Sequence, residues 1–221
     1  YTFHIRKGVH FHNHNLFEKG LGREVHAADF EYSFNRICDT SKGFNQGMWI
    51  FKDKVLKTWK NEISDTCFKA IDDYTFKIYL QNPSPHFLGI LAMNYAAVIP
   101  KEVAEHYGKE FRRNPIGTGP FKFVSWDEGE GLILHKNDNY WKQDDQGKQL
   151  PYLDAVKINF LPDKKQAYRA FLMGKIDFIS GLESNSVDEI FNRDGTISVQ
   201  FQERFDVQKV PYLNTEYLGF Q

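Results

Sequence analysis

Residues 112–126 read RRNPIGTGPFKFVSW, and this stretch limits what the chain can become more than any other. Pro115 and Pro120 each lack a backbone donor, and Gly117 and Gly119 carry no side chain to hold a regular element together. No helix or strand can run through such a stretch, so the chain must be built separately on its two sides. An alternating run from Phe121 to Val124 restarts regular structure as a strand. The domain division is therefore drawn between 114 and 115, giving portions 1–114 and 115–221. With 221 residues, 41% hydrophobic and 16% aromatic, both portions can supply cores. The two glycines are expected to adopt backbone angles closed to other residues.

Ahead of that joint the periodicities alternate. Tyr1, Phe3 and Ile5 share one strand face, Lys7-Gly8 turns the chain, and a second extended piece ends near Phe11. His12 to Gly22 reads as a polar loop. HAADFEYSFNRI sets Ala27, Phe30, Phe34 and Ile37 at helical spacing, with Asp29 and Glu31 early where the helix dipole favours acids, and closes near Asp39. CFKAID and TFKIYL flank Asp72-Asp73-Tyr74 as a hairpin. NPSPHFLGILAM predicts a short buried helix and AAVIP a short strand. Pro100 then opens a helix over KEVAEHYG that Gly108 ends.

Past the joint, GLILHK predicts another strand, and NDNYWKQDDQGKQLPY a long polar loop carrying Tyr140 and Trp141. DAVKINFL, a helix over KKQAYRAFLMG, and IDFIS form a β-α-β pattern whose expected product is a parallel strand pair. SNSVDEIFNR reads as a helix, TISVQF as a strand, and the closing YLNTEYLGFQ as an aromatic-rich strand. The fold class is α+β, antiparallel-rich in its first half, with an α/β lobe in its second. Both ends read as cuts within a larger fold, because each looks like a strand wanting a partner.

Several functions are disfavoured by composition. Lys and Arg number 28 against 29 Asp and Glu, a formal net charge of -1, so no overall field draws in nucleic acid. The densest apolar stretch, His86 to Pro100, is short of the roughly 18 residues a span needs and is interrupted by Asn94. Cys38 and Cys67 sit outside any metal-type spacing and read as small buried thiols. No GxSxG, HExxH or P-loop occurs. GTGP lacks the following helix N-terminus that an anion cradle uses. His10, His12 and His14 alternate and raise an imidazole metal site, although exposed loop histidines explain them equally. Tyr140 and Trp141 read as packing for the surface of their own domain.

Five ordered pieces carry a resemblance: YTFHIRKGVHF, AADFEYSFNRI, NPIGTGPFKFVSW, KNDNYW, and LPYLDAVKINFLPD with GKIDF. Together they resemble the peptide, dipeptide and nickel-type solute-binding proteins of ABC importers, bacterial extracellular solute-binding protein family 5. The sequence departs from the common pattern after Phe11-His12, where NHNLFEKGLGRE replaces a short Asp-Gly turn. The resemblance implies a periplasmic-binding-protein-like fold of the type II, peptide-binding class, with two hinged lobes around a cleft and a first-half fragment here. Residues 1–114 would be a small inserted lobe, and 115–221 part of the main α/β ligand-binding lobe. GTGPF would be the return crossing.

It further implies capture of oligopeptides or dipeptides for import, with no enzymatic step and no cofactor. The partners are a peptide ligand and the membrane permease subunits of an ABC transporter, not nucleic acid, and the protein would be a monomer in the periplasm or cell envelope. A lipid anchor, where one exists, would sit on a preceding segment. Candidate cleft residues are Trp49, Ser180, Gly181, Leu182 and Tyr217, because turns at the C-terminal ends of parallel strands face the crevice in α/β sheets. The charged contacts to peptide termini would come from a third domain beyond this chain. The alternatives are a metal-chelate (nickel-type) or haem-binding member of the same fold and, from another class, a periplasmic enzyme domain.

Overall fold

A computed structural model of the chain describes residues 1–39, 48–55, 57, 63–64, 66–182 and 184–208. It divides into two compact units, Tyr1–Asn159 and Phe160–Gln221. The joint expected between 114 and 115 lies inside the first unit, where it separates two three-stranded sheets.

The first sheet has the order β1-β3-β2, with β1 (Thr2–His4), β2 (Phe68–Asp72) and β3 (Thr75–Ile78). Both pairings are antiparallel, with Phe3 opposite Phe76 and Ala70 opposite Phe76. The turn closes as expected at Asp72-Asp73-Tyr74, where the Asp72 carboxylate accepts from the Tyr74 N–H at 2.8 Å. Helix α1 (Ala27–Cys38) lies on this sheet. Its Phe34 ring meets Phe51, Phe68 and Phe76 at centroid separations of 5.1, 5.4 and 5.7 Å, and all four side chains are buried. Each such burial contributes on the order of 2 kcal/mol.

Arg23 anchors the start of α1. Its guanidinium donates to both Asp29 oxygens at 2.6 and 2.9 Å and to both Glu102 oxygens at 2.5 and 2.9 Å. Asp29 also accepts from the His26 N–H at 2.9 Å, satisfying a donor the helix leaves open. Glu102 belongs to α3 (Lys101–Tyr107), which Pro100 opens and Gly108 ends at φ 53°, a left-handed angle that suits glycine. Cys38 is in no disulfide, and burial pushes its thiol pKa up to about 12.

Two local expectations change here. AAVIP forms no strand, because the Ile99 N–H donates to the hydroxyl of Ser33 on α1 at 3.0 Å and so is satisfied without a ladder. Helix α2 (Phe87–Leu91) exists, but only Phe87 is buried, while Leu88 is exposed.

The second sheet has the order β4-β5-β6, with β4 (Phe121–Asp127), β5 (Gly131–Lys136) and β6 (Ala155–Asn159), all antiparallel. None of its side chains is fully buried. The expected β-α-β crossover starts from β6, yet no parallel pair forms among the described residues. β6 pairs antiparallel with β5 where the polar loop returns, and the Lys136 N–H donates to Asp154 O at 2.8 Å beside that ladder. Residues 176–180 carry no ladder, and Phe178 is exposed.

The second unit contains α4 (Lys164–Leu172), α5 (Ser184–Ile190) and α6 (Val199–Gln202). Asp163 caps α4 by accepting from the Lys165 N–H at 2.8 Å. Tyr168, Ile190 and Phe201 form its small core. TISVQF, expected as a strand, keeps only an isolated bridge between Phe191 and Ile197 before turning into α6. Ile197 from the bridge, Phe201 from α6 and Phe205 just beyond it all join the same cluster, with Phe201 and Phe205 rings at 5.3 Å. The closing YLNTEYLGFQ lies outside the described residues. No described helix is long and apolar enough to cross a membrane.

Candidate functional site

The connecting stretch 114–120 is held by side chains rather than by the angles of its glycines. Neither Gly117 nor Gly119 has a positive φ, and a Cβ added at either would meet nothing within 4 Å, so the expectation of glycine-only angles fails. Instead the stretch offers carbonyls. The His12 N–H donates to Gly117 O at 2.8 Å, His12 Nε2 lies 2.9 Å from Gly119 O, and the Asn137 amide donates to the same oxygen at 3.0 Å. Since a carbonyl can only accept, Nε2 carries the proton and Nδ1 is the bare nitrogen. Nδ1 is buried without a partner. Burial lowers the His12 pKa below its ordinary value, the Gly119 bond opposes that, and nearby Lys122 lowers it further.

Beside this stretch, within the first unit, is a cavity of about 690 Å³. Buried Phe34, Phe76 and Ile78 contribute core side chains to its lining; Phe3 to Arg6, 117–119 and Trp141 also line it. The Arg6 guanidinium sits 4.7 Å above the Trp141 ring, a cation–π contact between two exposed side chains. Trp141 thus meets Arg6 from the portion before the joint, not the surface of its own portion as expected, and it also borders the cavity. Arg6 was not singled out from sequence, because one arginine after a strand carries no periodic signal.

The three histidines do not converge. His10 Nδ1 pairs with Gly22 O at 2.9 Å, His12 with the connecting stretch, and His14 Nε2 with the Tyr107 hydroxyl at 3.3 Å. Among the described residues no group of three or more His, Cys, Asp or Glu could hold a metal ion.

The candidate cleft residues fall in separate places. Trp49, in a short 3-10 turn Met48–Ile50, is 51% exposed and meets Tyr95 edge-on at 5.9 Å. Ser180 is exposed, Gly181 has φ +74°, and Leu182 is half-buried against the Tyr168 cluster. These three belong to the second unit and Trp49 to the first. Tyr217 lies outside the described residues.

The bacterial extracellular solute-binding proteins, family 5 Middle, match residues 1–221. The chain belongs to this family. Among its relatives, the dipeptide-binding protein DppE of Bacillus subtilis is 27% identical over 97% of the chain. The haem-binding protein A of Haemophilus influenzae is 29% identical over 81% of it. Among solved structures, the periplasmic binding protein DppA of Helicobacter pylori, in complex with the peptide STSA, is 30% identical. It covers 86% of this chain with a TM-score of 0.69. The chain spans 38% of DppE, 32% of the haem-binding protein and 36% of DppA. Its mixed α and β architecture is thus a portion of the periplasmic-binding-protein fold.

Proposed function

We propose that this chain is part of the substrate-binding component of an ABC importer and captures oligopeptides or dipeptides without chemically changing them. The observation that carries the reading is the family match along all 221 residues. A relative named for dipeptides and a similar structure holding a peptide narrow it to peptides. Residues 1–114 act as the small inserted lobe and 115–221 as part of the main lobe. Two observations support that division: each sheet lies wholly on one side of the joint, and β4 to β6 bury no side chain, as a sheet awaiting cover from a larger lobe would.

In this reading Trp49, Ser180, Gly181, Leu182 and Tyr217 contribute walls and backbone contacts to the cleft. Peptide bridging two lobes favours the closed form through contacts it makes only there, and membrane permease subunits then recognise that form. The protein works as a monomer in the periplasm or cell envelope, anchored by lipid if a preceding segment carries one. A second reading, haem capture on the same fold, is favoured by the haem-binding relative.

Calorimetry on the full-length protein with peptides of two to five residues, and separately with haemin, distinguishes the two. Saturable peptide binding, with the peptide recovered intact, is expected; Trp49→Ala should weaken it about tenfold, or 1.4 kcal/mol, by removing a stacking surface. Binding of haemin alone, or conversion of the peptide, would overturn the proposal.

A further inference from the structure

The cavity of the first unit has a chemistry that peptide capture does not use. Its volume, about 690 Å³, lies within the range of ligand pockets. Partly buried Phe3, Ile5, Phe30 and Val98 line it and pack against the buried core of Phe34, Phe76 and Ile78, so its apolar wall is already in place before any guest arrives. A peptide would need hydrogen-bond partners for each of its amides. The lining offers few of them: besides Arg6 its polar side chains are His4, Thr118 and Trp141, and the Gly119 carbonyl already accepts from His12 and Asn137.

One strong polar group remains. Arg6 is the only lining residue with a permanent charge, and no carboxylate pairs with it among the described residues. Its contact with the Trp141 ring occupies the flat face of the guanidinium and leaves the N–H edge available. That edge matches a carboxylate through two parallel hydrogen bonds.

We propose that this cavity binds a small amphipathic carboxylate, a linear aliphatic acid whose tail lies along Phe3, Ile5, Phe30 and Val98 and whose head group pairs with Arg6. Charge complementarity selects the acid over a neutral lipid or alcohol. Scarcity of open acceptors selects it over a peptide.

Decanoate serves as the probe in calorimetry with the full-length protein. Decanoate should bind saturably at one site, and 1-decanol, with the same tail and no charge, about tenfold more weakly or worse. Arg6→Gln should weaken decanoate roughly 10- to 100-fold, since a hydrogen bond to a charged group is lost. Arg6 is exposed, so this variant keeps its unfolding midpoint. Ala97→Phe, which fills the cavity from an exposed lining position without touching Arg6, should abolish binding while the midpoint again holds. Absence of saturable decanoate binding, equal binding of decanol, or unchanged affinity in Arg6→Gln would overturn the proposal.

Discussion

Replacing Arg23 by leucine removes four charge-assisted hydrogen bonds at once and leaves Asp29, 4% exposed, with the His26 N–H as its remaining donor in the knot. Stranding a buried carboxylate in this way costs about 3–5 kcal/mol when both partners are fully enclosed. The Arg23 side chain is 35% exposed, so water can enter the space it vacates. That brings the expected loss down to roughly 2–3 kcal/mol. For a domain of this size the unfolding midpoint should fall by about 4–10 °C, measured by thermal or urea unfolding. The double variant Arg23→Leu with Asp29→Asn should recover part of the loss, since no charge is then left without its partner. Arg23 also holds the Glu102 pKa below its ordinary value of 4.5, by a hydrogen bond to the charged form. Stability from that pair is therefore present above pH 4.5 and lost as pH falls through the lowered value, and Arg23→Leu should flatten this part of the profile. A midpoint shift under about 1 °C in Arg23→Leu would refute the reasoning, because the knot would then contribute no more than a surface ion pair.

His12 gives a second pH test. Its folded pKa is lowered by burial, so the neutral ring stabilises the fold fully above 6.5, and stability falls as pH drops below 6.5 toward the folded value. His12→Gln, which can still donate to Gly119, should lose that slope between pH 7 and 5 in urea midpoints; an unchanged slope assigns it to other groups such as His14, whose pKa is lowered too. Glycines supply a third test. A Cβ on Gly22 would lie 1.7 Å from Phe11 O, so Gly22→Ala should cost about 3 kcal/mol or more. Gly117→Ala, with nothing within 4 Å of the added carbon, should change stability by less than about 0.5 kcal/mol. Equal midpoints for the two variants would contradict the close approach at Gly22.

Much of the fold was legible because periodicity and punctuation agree over residues 1–39 and 66–108. Helix α1, the hairpin at Asp72-Asp73-Tyr74 and the stop at Gly108 all lie where capping, alternation and backbone chemistry put them. The failures share one cause, a tertiary partner that sequence does not announce. Ile99 finds the Ser33 hydroxyl, 66 residues away, so no strand is needed there. Phe201 turns into α6 and joins the Tyr168 cluster where alternation pointed to a strand. The β-α-β pattern failed at its second strand, since residues 176–180 carry no ladder and β6 pairs with β5 alone among the described strands. The glycines at 117 and 119 lie between the two sheets, yet the backbone angles expected of them are absent. Their carbonyls matter there, held by a histidine 107 residues distant from Gly119. A still larger separation hid the Arg6–Trp141 cavity, whose two mouth residues are far apart in sequence.

Peptide capture can be tested without choosing a ligand in advance. The full-length protein, purified from its own cell envelope under native conditions, is sprayed intact in a mass spectrometer and then denatured to release what it carries. Masses and fragment ions of short peptides, at close to one per protein molecule, are the expected result. Release of haem or a metal chelate in that proportion, with no peptide, would contradict the account.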